Sequence, residues 1–436
     1  MDRISPAIIE VVERTNKKDS NMVTKLTGFA KLWREIKRPF RQLFFPDTKI
    51  SKVERAAFYS RVESLLDQNQ GLSFFDKIDS PLVAQCSVFW NGMAHLFENI
   101  AFQQFAPNGY ADIYLLWGFN DSDSSCRLLN AAENNCKPLF LVEDGFLKSA
   151  DTWINSRIDD KYRNGVSFTL DDKAMYFDAT RKSRLEEMLN DKTLIVSEEQ
   201  KQRAKKCIDF IISTYLTKYN HQPIFTPQIG RTGAPKVLVV DQSYGDMSIA
   251  RGLANDETFQ NMLDTAIAEN PDADIIIKTH PDTIANSKKR SGYYVGVKPA
   301  KNLYILTTPI NPIALLKNVD KVYVCTTQLG FEALMCDKEV HVFGIPFYAG
   351  WGLTNDRLIC PRRTHTRTLE EIFYITYIMY TRYVNPVTES RCEIEEAMNY
   401  LLALRKEYFR EFGVRCEWDE SSEEHVLTIP NTRKAA

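Results

Sequence analysis

The chain has 436 residues, 44% hydrophobic and 26% charged, with a formal net charge of -2. Two domains are the natural expectation, and the composition is that of a globular protein able to bury real cores. It excludes a disordered chain and a nucleic-acid binder steered by overall positive charge, and no apolar run nears the roughly 18 residues of a membrane span.

Residues 1–110 are predicted to be a helical N-terminal region. Within it Lys25, Lys31, Arg34, Lys37, Arg38 and Arg41 are interleaved with Phe29, Leu32, Trp33, Ile36, Phe40, Leu43, Phe44 and Phe45. Basic and aromatic residues mixed at helical spacing over 25–49 suit an anionic membrane surface. They equally suit a solvated helix docking its apolar face on the protein.

From Ala111 the pattern changes. Ile113–Gly118 and Pro138–Val142 are short apolar runs, hence buried strands, with a helix near Ser125–Asn134 between them. Residues 196–219 read as one amphipathic helix. The Pro- and Gly-containing loop up to Pro235 then closes a first Rossmann-like domain, 111–235. A second, 236–367, restarts with strands at Val237–Val240, Asp274–Lys278, Leu303–Leu306, Lys321–Cys325 and Val340–Phe343. Alternation with helices implies parallel sheet. Residues 368–411 are predicted to be helices packing back across the domains, interrupted at Asn385-Pro386, before a polar tail, 412–436. Nine scattered cysteines, an odd number without CxxC or zinc spacing, predict reduced thiols in a cytoplasmic protein.

Open parallel sheets bind ligands beyond the carboxyl ends of their strands. Four polar clusters fall there: Glu143-Asp144-Gly145, the Asp241–Ser248 loop with Gln242 and Asp246, Lys278-Thr279-His280-Pro281-Asp282, and Thr326-Thr327-Gln328. Clusters split between two domains describe a cleft, suited to a sugar nucleotide on one wall and an acceptor on the other. Asp246 can be a nucleophile or base, or an Asx-type turn or helix cap. Glu143 can be its partner acid, or ordinary turn chemistry. Thr326 and Thr327 can offer a phosphate hydroxyls and backbone N–H groups, or simply cap a helix. Lys278 and His280 can neutralise a phosphate, or His280 can be an ordinary strand-end histidine, and Glu332 can hold a ribose hydroxyl or face solvent. GxGxxG and GxxxxGK[ST] are absent, against dinucleotide oxidoreduction and P-loop chemistry. Asp272-Ala273-Asp274 enters a strand rather than leaving one, so it reads as a turn and not a metal clamp.

Together these stretches resemble the KpsC-type capsule β-Kdo transferases. Val142–Ser149 is similar to their EDGFxRS segment, Val240–Ile249 to DQxxGDxSI, and Lys278–Asp282 to KxHPD. Thr327–Leu334 is similar to SQxGFEAL, Pro346–Thr354 to PFYAGWGLT, and Arg382–Thr388 with Cys392 to RYxxPxT…C. Six matches in order cover roughly residues 111–405. Lys148 stands where Arg is usual, which keeps the charge and loses the bidentate fork. Thr327 replaces Ser and keeps the hydroxyl.

The resemblance implies a GT-B-like fold of two Rossmann-like domains facing across a cleft. It implies CMP-β-Kdo as donor, retention of configuration, and no metal or other cofactor. Asp246 would be the nucleophile and Glu143 the acid/base. His280, Lys278, Thr326, Thr327, Gln328, Glu332, Gln242 and Ser248 would surround the donor. Lys148 and Arg251 are candidates for the sugar carboxylate, while Tyr348 and Trp351 either line the cleft or build a structural turn. The acceptor would be a lipid-linked or other glycan at the inner face of a membrane. The family's best-known members carry two transferase modules, and this chain has room for one. A transferase using another CMP- or UDP-sugar, or a non-catalytic capsule assembly or export component, are the rival readings.

Overall fold

The computed structural model describes residues 52–69, 83–88, 91–97, 99–102, 111–152, 155, 157–280, 291–418 and 427. The basic segment 25–49, Pro281, Asp282 and nearly all of the tail beyond 418 lie outside the described residues. The chain divides into two compact units, up to Phe140 and from Leu141 on.

The first unit is not helical throughout. A helix, Lys52–Asp67, buries Phe58, Val62, Leu65 and Leu66, a stripe at helical spacing. Two four-residue strands follow, β1 (Val83–Cys86) and β2 (Asn99–Phe102), paired in parallel. β1 also pairs in parallel with β3 (Ile113–Trp117), and the helix Asp123–Asn135 follows β3. Strands this short leave too little pattern to be read against a helical background.

The second unit takes most of β4 (Leu139–Asp144). This strand pairs antiparallel with β5 (Ser167–Asp171), a difference from the parallel expectation. Every residue of β5 is buried, Ser167, Thr169 and Asp171 included, so its polar residues hide the apolar run. The helix Glu198–Thr214 stops five residues before its expected end. Tyr215 is left-handed there (φ 58°) and its N–H closes on Ile211 O.

Six strands then form one wholly parallel sheet: β6 (Lys236–Val240), β7 (Asp274–Lys278), β8 (Leu303–Leu306), β9 (Lys321–Val324), β10 (Glu339–Val342) and β11 (Asn355–Asp356). Their order, β11-β10-β9-β6-β7-β8, is that of a doubly wound Rossmann sheet, which reverses direction between β6 and β9. Val237 and Val239 face one core while Leu238 and Val240 face the other. Burial on both faces is why β6 reads as a continuous apolar run.

The C-terminal segment corrects the helical expectation for 368–411. Leu369–Phe373 runs into a π-helical stretch, Tyr374–Tyr380. A hairpin of β12 (Thr381–Asn385) and β13 (Ser390–Cys392) follows, then the helix Ile394–Phe412. Tyr383 and Val384 favour strand, and Asn385 turns the chain by accepting from Val387 N at 2.9 Å. β12 pairs antiparallel with β5, so the chain's end returns to the sheet that carries β4.

Candidate functional site

Sites in open α/β sheets form where strand order reverses, because the loops leaving adjacent strands part there. Here the loops after β6 and β9 are joined across that point. Gln242 Nε2 donates to Thr326 Oγ1 at 2.9 Å, and Thr326 N donates to Gln242 Oε1 at 3.0 Å. On the other side of β6, Ser243 Oγ and His280 Nδ1 are 3.2 Å apart. Lys278 ends β7 buried, its Nζ donating to Thr279 O at 2.9 Å. Burial pushes its ammonium down to about 8, against the pull of Asp241.

Asp246 is exposed and caps the short helix Met247–Arg251, accepting from Ser248 N at 2.9 Å and Ser248 Oγ at 2.8 Å, both at Oδ1. The cap and the chemistry are compatible. Holding one oxygen orients the carboxylate, and Oδ2 has no hydrogen-bond partner among the described residues.

Glu143 and Asp144 end β4. Asp144 is buried and ion-paired with Lys148, whose side chain is 1% exposed. Glu143 is half-buried; burial first, then the charge of Asp144, pushes its carboxyl up to about 7, with Lys218 and Lys148 pulling the other way. Lys218 is half-buried and held above its ordinary pKa. Burial opposes its charge, but Tyr176, Tyr219, Asp144 and Glu143 outweigh that. Burial lifts the Tyr176 phenol to about 12, and this phenol lies in the fields of Lys218, Glu143, Asp144 and Asp246.

Further bonds bind the β4 side to the parallel sheet. Gln328 Nε2 donates to Phe146 O at 2.8 Å, and Thr217 Oγ1 donates to Glu332, which is buried rather than facing solvent. Arg251 Nη1 reaches Asp178 at 2.9 Å. Thr327 Oγ1 accepts from Leu329 N at 3.3 Å. Tyr348 and Trp351 are fully buried; Tyr348 donates to Thr327 O at 2.7 Å, and Trp351 Nε1 to Phe347 O at 2.8 Å. Their segment is therefore a structural turn, with Gly350 and Gly352 at φ 83° and 93°. Asp274, the buried first residue of β7, is tied to Arg231. Sequence reasoning missed Lys218 and Tyr176. The first was absorbed into an overlong helix, and the second carries no motif.

Among the described residues no helix is long and apolar enough to cross a membrane, and no group of three or more His, Cys, Asp or Glu could hold a metal ion. All nine cysteines are free thiols.

The fold is a GT-B-like α/β fold. It matches Thermosulfurimonas dismutans KpsC, beta Kdo 2,4 transferase, with a TM-score of 0.62 and 34% identity, covering 70% of this chain and 91% of that one. The beta Kdo 2,7 transferase of the same organism's KpsC matches in fold, with a TM-score of 0.52 at 24% identity, covering 74% of this chain and 99% of that one. The family model for capsule polysaccharide biosynthesis protein matches residues 112–233 and 230–388, and the chain belongs to that family. It is 38% identical over 305 residues to the capsule polysaccharide modification protein LipA of Neisseria meningitidis serogroup B, covering 68% of this chain and 42% of LipA. It is 35% identical over 308 residues to the lipopolysaccharide-processing protein LpsZ of Rhizobium meliloti, covering 70% of this chain and 66% of LpsZ. The chain thus spans less than half the length of LipA.

Proposed function

We propose that this chain is a retaining β-Kdo transferase that moves Kdo from CMP-β-Kdo to a lipid-linked or other glycan acceptor in capsule or related surface-glycan synthesis. The observation that carries the reading is the different character of two acids, one ending β4 and one in the loop after β6. Asp246 is exposed with one oxygen oriented and one open, and Glu143 is half-buried and proton-holding, with Tyr176 in the field of both. The likeness to a protein named as a beta Kdo 2,4 transferase supports the donor.

In the first step Asp246 Oδ2 attacks the anomeric carbon, the bond from that carbon to the phosphate oxygen breaks, and CMP leaves with the electron pair. In the second, Glu143 takes the acceptor hydroxyl's proton. The acceptor oxygen displaces the Asp246 carboxylate, and two inversions restore the β configuration. His280, Lys278, Thr326, Thr327, Gln328, Gln242 and Ser248 hold the CMP moiety, and no metal takes part. Glu332 orients Thr217 and the turn that carries Lys218. The enzyme works at the cytoplasmic face of a membrane, reached through segment 25–49.

The test is mass spectrometry of protein and product after incubation with CMP-Kdo and candidate acceptors. CMP release, a Kdo-sized increment on product and a transient one on the protein are expected, and Asp246→Asn should abolish all three. Full activity in Asp246→Asn would overturn the mechanism. Release of a different nucleotide from a different donor would overturn the substrate.

A further inference from the structure

Asp246 caps a helix of five residues, Met247–Arg251. A helix this short is not stable by itself, so tertiary contacts must hold it, and with it the carboxylate at its N-terminus. Some of those contacts come from its own sheet. Gly252 O accepts from Ile345 N at 2.8 Å, and Gly252 packs so closely on Thr326 Cγ2 that no Cβ would fit. The others come from the segment that leaves β5, the strand beside β4. Ala179 N donates to Arg251 O at 2.9 Å, and Arg251 Nη1 donates to Asp178 Oδ2 at 2.9 Å. Asp178 Oδ1 accepts from both Thr180 N and Thr180 Oγ1. The Asp178 side chain is fully buried, and Ala179 packs with Ile345 and Cys360 in a small apolar cluster.

This segment is braced at its base. Asp171, the last residue of β5, accepts from Lys173 N, Ala174 N and Arg184 N, and Arg184 makes a two-bond ion pair with Asp172, at 2.9 and 2.6 Å. Just before Asp178, the Tyr176 ring packs on Phe146 with the centroids 5.0 Å apart. Phe146 directly follows Glu143-Asp144-Gly145. The short span 176–179 therefore touches both the chain leaving the end of β4 and the helix that Asp246 caps.

We propose that Asp178 and Arg251 are positioning residues, whose ion pair fixes the helix capped by Asp246 at a set spacing from the strand end that carries Glu143. This rests on the roles given to Asp246 and Glu143 above. It assigns the Arg251 guanidinium to a buried carboxylate of the protein and not to the carboxylate of the sugar. Such a pair holds geometry well, because parting it would leave a buried charge uncompensated. The Gln242–Thr326 pair joins other loops and does not depend on it.

Transfer from CMP-Kdo is measured on the full chain for the wild type, Arg251→Met, Arg251→Lys and Asp178→Asn. Thr180 still satisfies one oxygen of Asp178 in Arg251→Met, so that variant should fold, and thermal unfolding checks it. Its kcat should fall roughly 10- to 100-fold, the effect of a misplacement of about 1 Å. Its KM for CMP-Kdo and its inhibition by CMP should stay within about threefold, as expected when binding is kept and only the transition state is lost. Asp178→Asn should lower kcat in the same way, and Arg251→Lys should recover part of the loss. Unchanged kcat in the folded Arg251→Met and Asp178→Asn variants would overturn the proposal. So would a KM for CMP-Kdo raised at least about tenfold in Arg251→Met alone with CMP inhibition intact, which would make Arg251 a contact of the sugar. A wild type that transfers no Kdo would sink the donor reading by itself. The pair is then judged by hydrogen exchange: Met247–Arg251 should exchange faster in Arg251→Met and Asp178→Asn while Leu329–Met335 does not, and unchanged protection of Met247–Arg251 would overturn the positioning role.

Discussion

Glu143 owes its chemistry to its neighbours. It shares the end of β4 with Asp144, and burial together with that second carboxylate makes ionisation unfavourable until about pH 7. A general base works best with a pKa near the operating pH, because it must be ionised yet still hold a proton well. Lys278 is tuned in the opposite direction, losing its charge above about pH 8. If Glu143 must be deprotonated and Lys278 protonated, kcat/KM rises through about 7 and falls through about 8. The profile should be bell-shaped, with a narrow maximum between the two. Glu143→Gln should cost about 10²- to 10⁴-fold and erase the acid limb. Lys278→Met should erase the alkaline limb. A pH–rate series from pH 5.5 to 9 checks both, and an unchanged acid limb in Glu143→Gln would remove Glu143 from the role of base.

At the scale of elements, the helix Leu329–Met335 shows how closely the loop after β9 is packed. A Cβ on Gly330 would lie 2.0 Å from the Tyr348 hydroxyl, which donates to Thr327 O. Gly330→Ala must push that ring away and release the Thr326–Gln328 loop. The expected cost is about 1–3 kcal/mol of stability, with a raised KM for donor. Denaturant unfolding and donor kinetics on the same variant test it; a stable variant with unchanged KM would show that the loop does not need this packing. The same elements explain what the sequence made legible. β6, β7 and β8 begin and end within a residue of expectation, because each is built on an unbroken apolar run. The strand-end clusters followed from them, Gln242, His280 and Thr326 included. β5 stayed hidden, since its buried Ser167, Thr169 and Asp171 find partners that only the folded chain supplies. Lys218 stayed hidden because the left-handed stop at Tyr215 carries no Gly or Asn to announce it. The aromatic run Tyr374–Tyr380 kept helical spacing, and nothing in it marks the strand that follows.

For the molecule as a whole, buried carboxylates set how stability depends on pH. Asp171 is 1% exposed and Glu332 4% exposed, and burial pushes each carboxyl up to about 7. An unfolded chain releases the same protons near pH 4. Between those values the folded protein holds protons that the unfolded chain has lost, so stability falls as pH rises. The contribution is fully present below about pH 4 and gone above about 7. Each tenfold difference in proton affinity between the folded and unfolded chain is worth roughly 1.4 kcal/mol. Paired carboxyls such as Glu187, Glu269 and Glu371 have lowered values and act below that window, and Lys278 acts above it. The melting temperature should therefore decline from pH 5 to pH 7 and level off by pH 7.5. Glu332→Gln keeps an acceptor for Thr217 without a titrating proton, so it should flatten the decline. Calorimetric scans of the wild type and this variant across that range make the comparison, and a wild-type melting temperature that rises toward pH 7 would mean that these two carboxyls are ionised in the folded protein.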